Sequence, residues 1–300
     1  MGHEVEGADA GTVIVAALIA IGARIDELAP AALADEPDAV HQLRTHVRRL
    51  RSVLAAYAPL FDASVVEALR RRYRELGRDL GTVRDIEVRM QVAERALQEA
   101  PDVPEASAAR ARLVDDEREA YRLAHARFAQ RQRMPRAGAR RASLAEFVDA
   151  PPFTPHAAES AIDVLGDLLE REARRAVEQA DNIDSSAGAE QLHRVRKAGR
   201  RLRYASEAVT EEPVALFGDR AGALAQAGEE LHDVLGDHRD EVLFAEHARR
   251  AAAHAAHEGA PVELFGRLAK SAERRAAHRL DELAAVVAEL HRAEREWASR

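Results

Sequence analysis

The chain contains no cysteine. Disulfides, thiolate metal sites, iron–sulfur clusters and a cysteine nucleophile are excluded, and a reducing compartment fits. Aromatic residues are scarce, at seven Phe, four Tyr and one Trp in 300 residues. Ala, Leu, Arg and Glu dominate instead, which favours helices and leaves little material for sheets. No long hydrophobic run occurs: the most apolar stretch, Thr12–Ala23, has about 12 residues where a membrane span needs roughly 18 or more. Glu4, Glu6 and Asp9 precede it where a signal peptide would carry basic residues. Glu6 also stands where a myristoylation signal at Gly2 needs Ser or Thr. A basic excess is missing too. The 44 Lys and Arg face 52 Asp and Glu, a net charge of -8, which argues against a generic duplex-binding protein. There is no P-loop, no dinucleotide-binding glycine motif and no HExxH. The expectation is a soluble cytoplasmic protein with no membrane partner, no cofactor and no metal site.

Helical periodicity runs almost end to end, and the spacing predicts helices at about 10–29, 38–57, 63–79, 82–99, 105–133, 157–181, 188–211, 216–235, 238–258 and 273–299. Three prolines, Pro151, Pro152 and Pro155, mark a linker near the midpoint. Around it the sequence repeats. His41-Gln-Leu-Arg44-Thr-His-Val-Arg48-Arg49-Leu50-Arg51 matches His193-Arg-Val-Arg196-Lys-Ala-Gly-Arg200-Arg201-Leu202-Arg203, 152 residues on. Leu80-Gly81-Thr-Val-Arg84-Asp85 matches Leu235-Gly236-Asp-His-Arg239-Asp240, 155 residues on. Two matches in the same order point to an internal duplication. A first helical repeat over about 8–149, a linker at 150–156 and a second repeat over about 157–300 are expected within one domain spanning 1–300.

At 100° per residue, His41, Arg44, Arg48 and Arg51 share an arc of about 80°, with Leu43, Val47, Leu50 and Leu54 opposite. His193, Arg196, Arg200 and Arg203 repeat the arc; Lys197 and Tyr204 join it, and Arg49 and Arg201 flank it. Ten residues rise about 15 Å, so each copy is a ridge of positive charge. No Asp or Glu occurs from Ala39 to Phe61 or from Gln191 to Ser206. Like charges three and four residues apart repel, so two acid-free ridges in an acid-rich chain read as an anion site. Guanidinium forks suit phosphate oxygens, and a histidine among them gains charge when a phosphate approaches. A solvated helix face, or pairing with acids on neighbouring helices, is the plain alternative. In the second motif, Gly81 and Gly236 read as residues that end one helix. Arg84 and Arg239 would then open the next, either reaching toward an anion or forming a cap and salt bridge. A further basic stretch, Tyr121–Ser143, has no counterpart in the second half.

Both motif pairs together resemble the CHAD family, the conserved-histidine α-helical domain, over nearly the whole chain. The resemblance implies an all-α fold of two pseudo-two-fold-related antiparallel helical bundles with a central basic groove. It also implies binding of inorganic polyphosphate, often at polyphosphate granules, with His41, Arg44, Arg48, Arg49, Arg51, His193, Arg196, Lys197, Arg200, Arg201 and Arg203 as the basic ligands. Thr45 stands where a branched apolar residue is common and Arg200 where Lys is common; neither removes charge. No tunnel-hydrolase domain is recognised, so catalysis would come from another, polyphosphate-metabolising chain.

Two rival functions stay open. Nucleic acid would accept a cationic stripe, but single-strand binders add stacking aromatics, and only Tyr204 lies on either strip. A phosphohydrolase needs metal-binding carboxylates beside the phosphate site, and the strips lack them.

Overall fold

The computed structural model describes residues 7–100, 103, 105–183 and 187–299. The segment read above for targeting signals, residues 2–6, lies outside them. The described residues are overwhelmingly helical and contain no strand beyond two isolated bridges, Asp9 with Ser160 and Phe61 with Phe153. The fold is all-α, as the composition requires.

Among the described residues eleven α-helices follow in order: α1 (Ala10–Leu33), α2 (Ala39–Ala56), α3 (Ala63–Gln98), α4 (Ala106–Arg110), α5 (Asp116–Gln132), α6 (Pro135–Asp149), α7 (Ala161–Asp181), α8 (Ala189–Thr210), α9 (Asp219–His257), α10 (Glu263–Asp281) and α11 (Leu283–Ala298). A π-helical turn, Ala111–Asp115, joins α4 to α5. The chain forms two compact units. One holds the described residues up to Leu80, Arg131–Asp233 and Ala285 onward; the other holds those of Gly81–Gln130 and Val234–Ala284. Each unit therefore takes segments from both halves of the sequence.

In the first unit α1 packs on α2, α7 on α8, and α2 on α8. The apolar run Thr12–Ala23 is core rather than span: Val13, Ile14, Ala17, Leu18 and Ile21 are buried along one face of α1. Asp9 caps that helix, accepting from the Thr12 amide at 2.8 Å, and these hydrogen bonds hold its carboxyl below the usual range. The starts of α1 and α7 are tied together by Ala10 N–H donating to Glu159 O (3.0 Å) and Ala161 N–H donating to Ala8 O (3.1 Å). The proline linker is held too. Asp62 N–H donates to Pro152 O at 2.8 Å, Thr154 N–H donates to Leu60 O at 2.9 Å, and Phe153 stacks on Phe61.

Where α8 meets the first-unit part of α9 the two backbones touch. A Cβ on Gly228 would lie 2.7 Å from both Gly199 O and Arg203 N. Only glycine permits that approach. The second unit has its own core of small and apolar side chains, among them Val92, Ala93, Leu113, Phe244, Ala248 and Phe265.

Three features differ from the sequence reading. Gly81 and Gly236 end no helix: α3 and α9 run straight through them. A mid-helix glycine costs about 1 kcal/mol relative to alanine. Burial of Leu80, Val83 and Leu235 beside them outweighs it. Residues 135–149, which no predicted helix covers, form α6, opened by Pro135 because proline at the first helical turn sacrifices no hydrogen bond. Residues 263–272, unassigned from the sequence, form the first half of α10, burying Leu264, Phe265 and Leu268.

Candidate functional site

The leucine face of α2 is buried as predicted: Leu43, Val47, Leu50 and Leu54 all belong to the core, as do Val195 and Leu202 on α8. That fixes the rotation of both helices and turns their cationic arcs toward a common space. A cavity of about 380 Å³ opens there. Arg48, Arg51, Ser52 and Ala55 of α2 line it together with Arg194, Lys197, Ala198, Arg200 and Arg201 of α8, Arg70 of α3, and Arg175 and Gln179 of α7. Eight of these side chains are cations and none is a carboxylate.

The electrostatics are severe at the centre. Burial, then the charges of Arg200 and Arg44, pull Arg48 down to about 8. Burial, then Arg196, pulls Arg200 down to about 10. Among the described residues no carboxylate lies within ion-pair distance of Arg48, Arg51 or Arg200, and the Nε atoms of Arg48 and Arg200 are buried without a hydrogen-bond partner. Native proteins seldom leave such donors unmet. Arg48 does find one contact: its Nη2 lies 2.8 Å from His232 Nε2. His232, on α9, is 6% exposed, and burial, then Arg196, Arg48 and Arg200, push it down to about 2. It is a neutral acceptor, which leaves the Arg48 charge uncompensated. Arg196 adds a long contact from its Nε to His232 O, at 3.4 Å.

The predicted ligands divide on this geometry. Arg48, Arg51, Lys197, Arg200 and Arg201 line the cavity, and Arg44 and Arg196 stand in the field of its centre. His41 is half-buried on α2, and His193 is exposed on α8. Arg49 turns elsewhere, pairing with Glu211 at 2.5 Å and Glu207 at 3.7 Å. Arg203 pairs with Glu207 at 2.6 Å and Glu229 at 2.8 Å. Arg201 pairs with the buried Glu172. The last turn of α8 and the neighbouring helices thus supply acids that the acid-free windows did not reveal. Tyr204 is 4% exposed, its ring 5.5 Å from the Arg203 guanidinium carbon. Arg84 and Arg239 belong to the second unit, where Arg84 pairs with Glu87 at 2.9 Å and Arg239 is exposed.

Sequence reasoning missed His232, Arg70, Arg175 and Arg194. Arg70 carried a readable signal, since Arg70, Arg74 and Arg78 recur every four residues on α3. His232, four residues before Gly236, carried none. Among the described residues no group of three or more His, Asp and Glu side chains is placed to hold a metal ion, and no helix is long and apolar enough to cross a membrane.

An all-α unit with an acid-free, arginine-walled cavity defines a helical protein whose site suits a polyanion. The CHAD domain family model matches residues 16–249, and the chain belongs to that family. It is 32% identical over 219 residues to the uncharacterized proteins MT2285 and Rv2226 of two Mycobacterium tuberculosis strains, CDC 1551 / Oshkosh and ATCC 25618 / H37Rv. Those matches cover 71% of this chain but 40% of each relative, so the chain spans well under half their length. Two solved structures share its fold. PptA from Streptomyces chartreusis superposes with a TM-score of 0.73 at 20% identity, covering 93% of this chain and 99% of its own. The CHAD domain from the plant Ricinus communis gives 0.72 at 22% identity, covering 97% and 95%.

Proposed function

We propose that the protein binds inorganic polyphosphate in the cavity between α2 and α8, without catalysing a reaction on it. One observation carries this reading: Arg48 and Arg200 are buried with no carboxylate in ion-pair reach among the described residues, and the charge of Arg200 lowers the hold of Arg48 on its proton as that of Arg196 lowers the hold of Arg200. A polyanion supplies the missing acceptors and charge. Guanidinium forks match phosphate oxygens in pairs, and a chain of linked phosphates engages several at once. In this reading residues 8–149 and 157–300 are two copies of one helical unit, each giving one wall of the groove. The protein acts in the cytoplasm at polyphosphate granules, and any turnover of the polymer belongs to a partner enzyme.

A competition titration of the purified protein tests the proposal, with long-chain polyphosphate, tripolyphosphate, an oligonucleotide and orthophosphate as competitors. Long-chain polyphosphate should compete best and orthophosphate worst at matched phosphate, with affinity falling steeply as salt rises. Preference for the oligonucleotide, or equal affinity for orthophosphate and the long polymer, would overturn it.

A further inference from the structure

We propose that a second row of cations on α3, Arg70, Arg74 and Arg78, together with Arg51, carries the polyphosphate chain onward from Arg48 and Arg200, so that the site has a track as well as a cavity. The inference rests on the polyphosphate reading above and adds three residues of α3 that lie outside both repeated motifs. Arg51 and Arg70 already line the cavity, on α2 and α3 respectively. Arg74 and Arg78 continue from Arg70 at intervals of four residues, so the three stay near one face of α3 over about 12 Å of helix.

The contact that joins the two rows is specific. A Cβ on Gly77 would lie 3.2 Å from a terminal guanidinium nitrogen of Arg51. Glycine there lets Arg51 lie flat against α3, between Arg74 and Arg78 in the sequence. Burial lowers the Arg51 pKa, and Arg74, Arg70 and Arg78 lower it further, in that order; Glu67 is the acid that opposes them. Glu67 is itself shared, 2.8 Å from Arg70 and 3.1 Å from Arg74, and its side chain is 46% exposed. One half-exposed carboxylate, Glu67, faces the three guanidiniums of Arg51, Arg70 and Arg74, which leaves a positive surplus. A stripe of that kind suits a linear anion too long for the cavity, whereas a short one would have no need of it.

The test uses the full chain with long-chain polyphosphate and tripolyphosphate, by titration calorimetry at several salt concentrations. Arg74→Gln combined with Arg78→Gln should weaken long-chain binding about tenfold and lower the slope of log affinity against log salt by about one to two. Tripolyphosphate affinity should change less than about twofold, because a short chain is held at Arg48 and Arg200. Glu67→Gln should strengthen long-chain binding by a few fold, by releasing Arg70 and Arg74. Wild-type affinity and salt slope in the double variant would overturn the track, as would an equal loss for both ligands. A wild-type protein that binds neither polyphosphate would remove the cavity reading and the track with it.

Discussion

Arg48 Nη2 lies 2.8 Å from Nε2 of His232, and only one of those two groups can carry a proton at that contact. The guanidinium keeps it, and the imidazole is held neutral by burial and by the cations around it. A carboxylate at position 232 would orient Arg48 equally well but would cancel its charge. Imidazole orients without cancelling. His232→Gln, another neutral acceptor, should hold polyphosphate affinity within about threefold, whereas His232→Glu should cost tenfold or more while raising the melting temperature of the ligand-free protein. Calorimetric titration and thermal melts on the two variants decide it.

Replacing Arg48 and Arg200 together with Glu should abolish polyphosphate binding with the helical circular dichroism spectrum intact, since both side chains lie opposite the buried leucine face. Arg200→Met should separate stability from function. The pull on Arg200 from its ordinary arginine range down to about 10 is the cost of keeping it charged there. Removing that charge should stabilise the ligand-free protein by about 1–3 kcal/mol, and polyphosphate should bind more weakly. A ligand-free variant less stable than wild type would contradict the strain argued for this site.

The pH dependence has a definite sign. His232 titrates near its ordinary 6.5 in the unfolded chain and at about 2 in the folded one. Between those values the unfolded state binds more protons, so stability falls as pH drops below 6.5. The loss should reach about 1–3 kcal/mol by pH 4.5 for this group alone. Arg48 works in the other window. With a folded value of about 8, well below the ordinary arginine range it keeps when unfolded, its penalty is constant below 8 and shrinks as pH rises above it. Denaturant unfolding of wild type and His232→Gln from pH 4.5 to 7 should show the acid-side slope reduced in the variant.

Two core positions should behave differently from the cavity. Leu50→Ala should destabilise by about 2–5 kcal/mol, because Leu50 is fully buried on the face opposite the arginines. Gly228→Ala should cost about 1–3 kcal/mol by overpacking. It should also weaken binding, since pushing α9 off α8 moves His232 away from Arg48. Urea titrations with and without polyphosphate separate the two effects.

Much of this was legible beforehand, for a physical reason. Helix rotation is set by the apolar stripe, so Leu43, Val47, Leu50 and Leu54 announce where Arg44, Arg48 and Arg51 point. Three-dimensional pairing is not written in the same register. Along the chain Arg203 shares the arc of Arg48 and Arg200, and Arg49 and Arg201 flank it with nothing to show that they are paired. Acids from α7, α8, α9 and the turn after α8 select among them: Glu172, Glu207, Glu211 and Glu229 take Arg49, Arg201 and Arg203 and leave Arg48 and Arg200 bare. His232 lies on a helix that carries no cationic stripe, and its role comes from the glycine crossing that brings α9 against α8. Gly81 and Gly236 misled because local propensity is weaker than the burial of the leucines beside them.

The wall of the cavity carries one sign of charge from end to end. A polymer of identical phosphates meets no landmark there: no acid to avoid, and no single position where one unit fits and its neighbour does not. Shifting such a chain along by one unit replaces each phosphate with another just like it. If the cavity holds polyphosphate as proposed, it grips without choosing a register, and the strand is free to slide lengthwise while it stays captured.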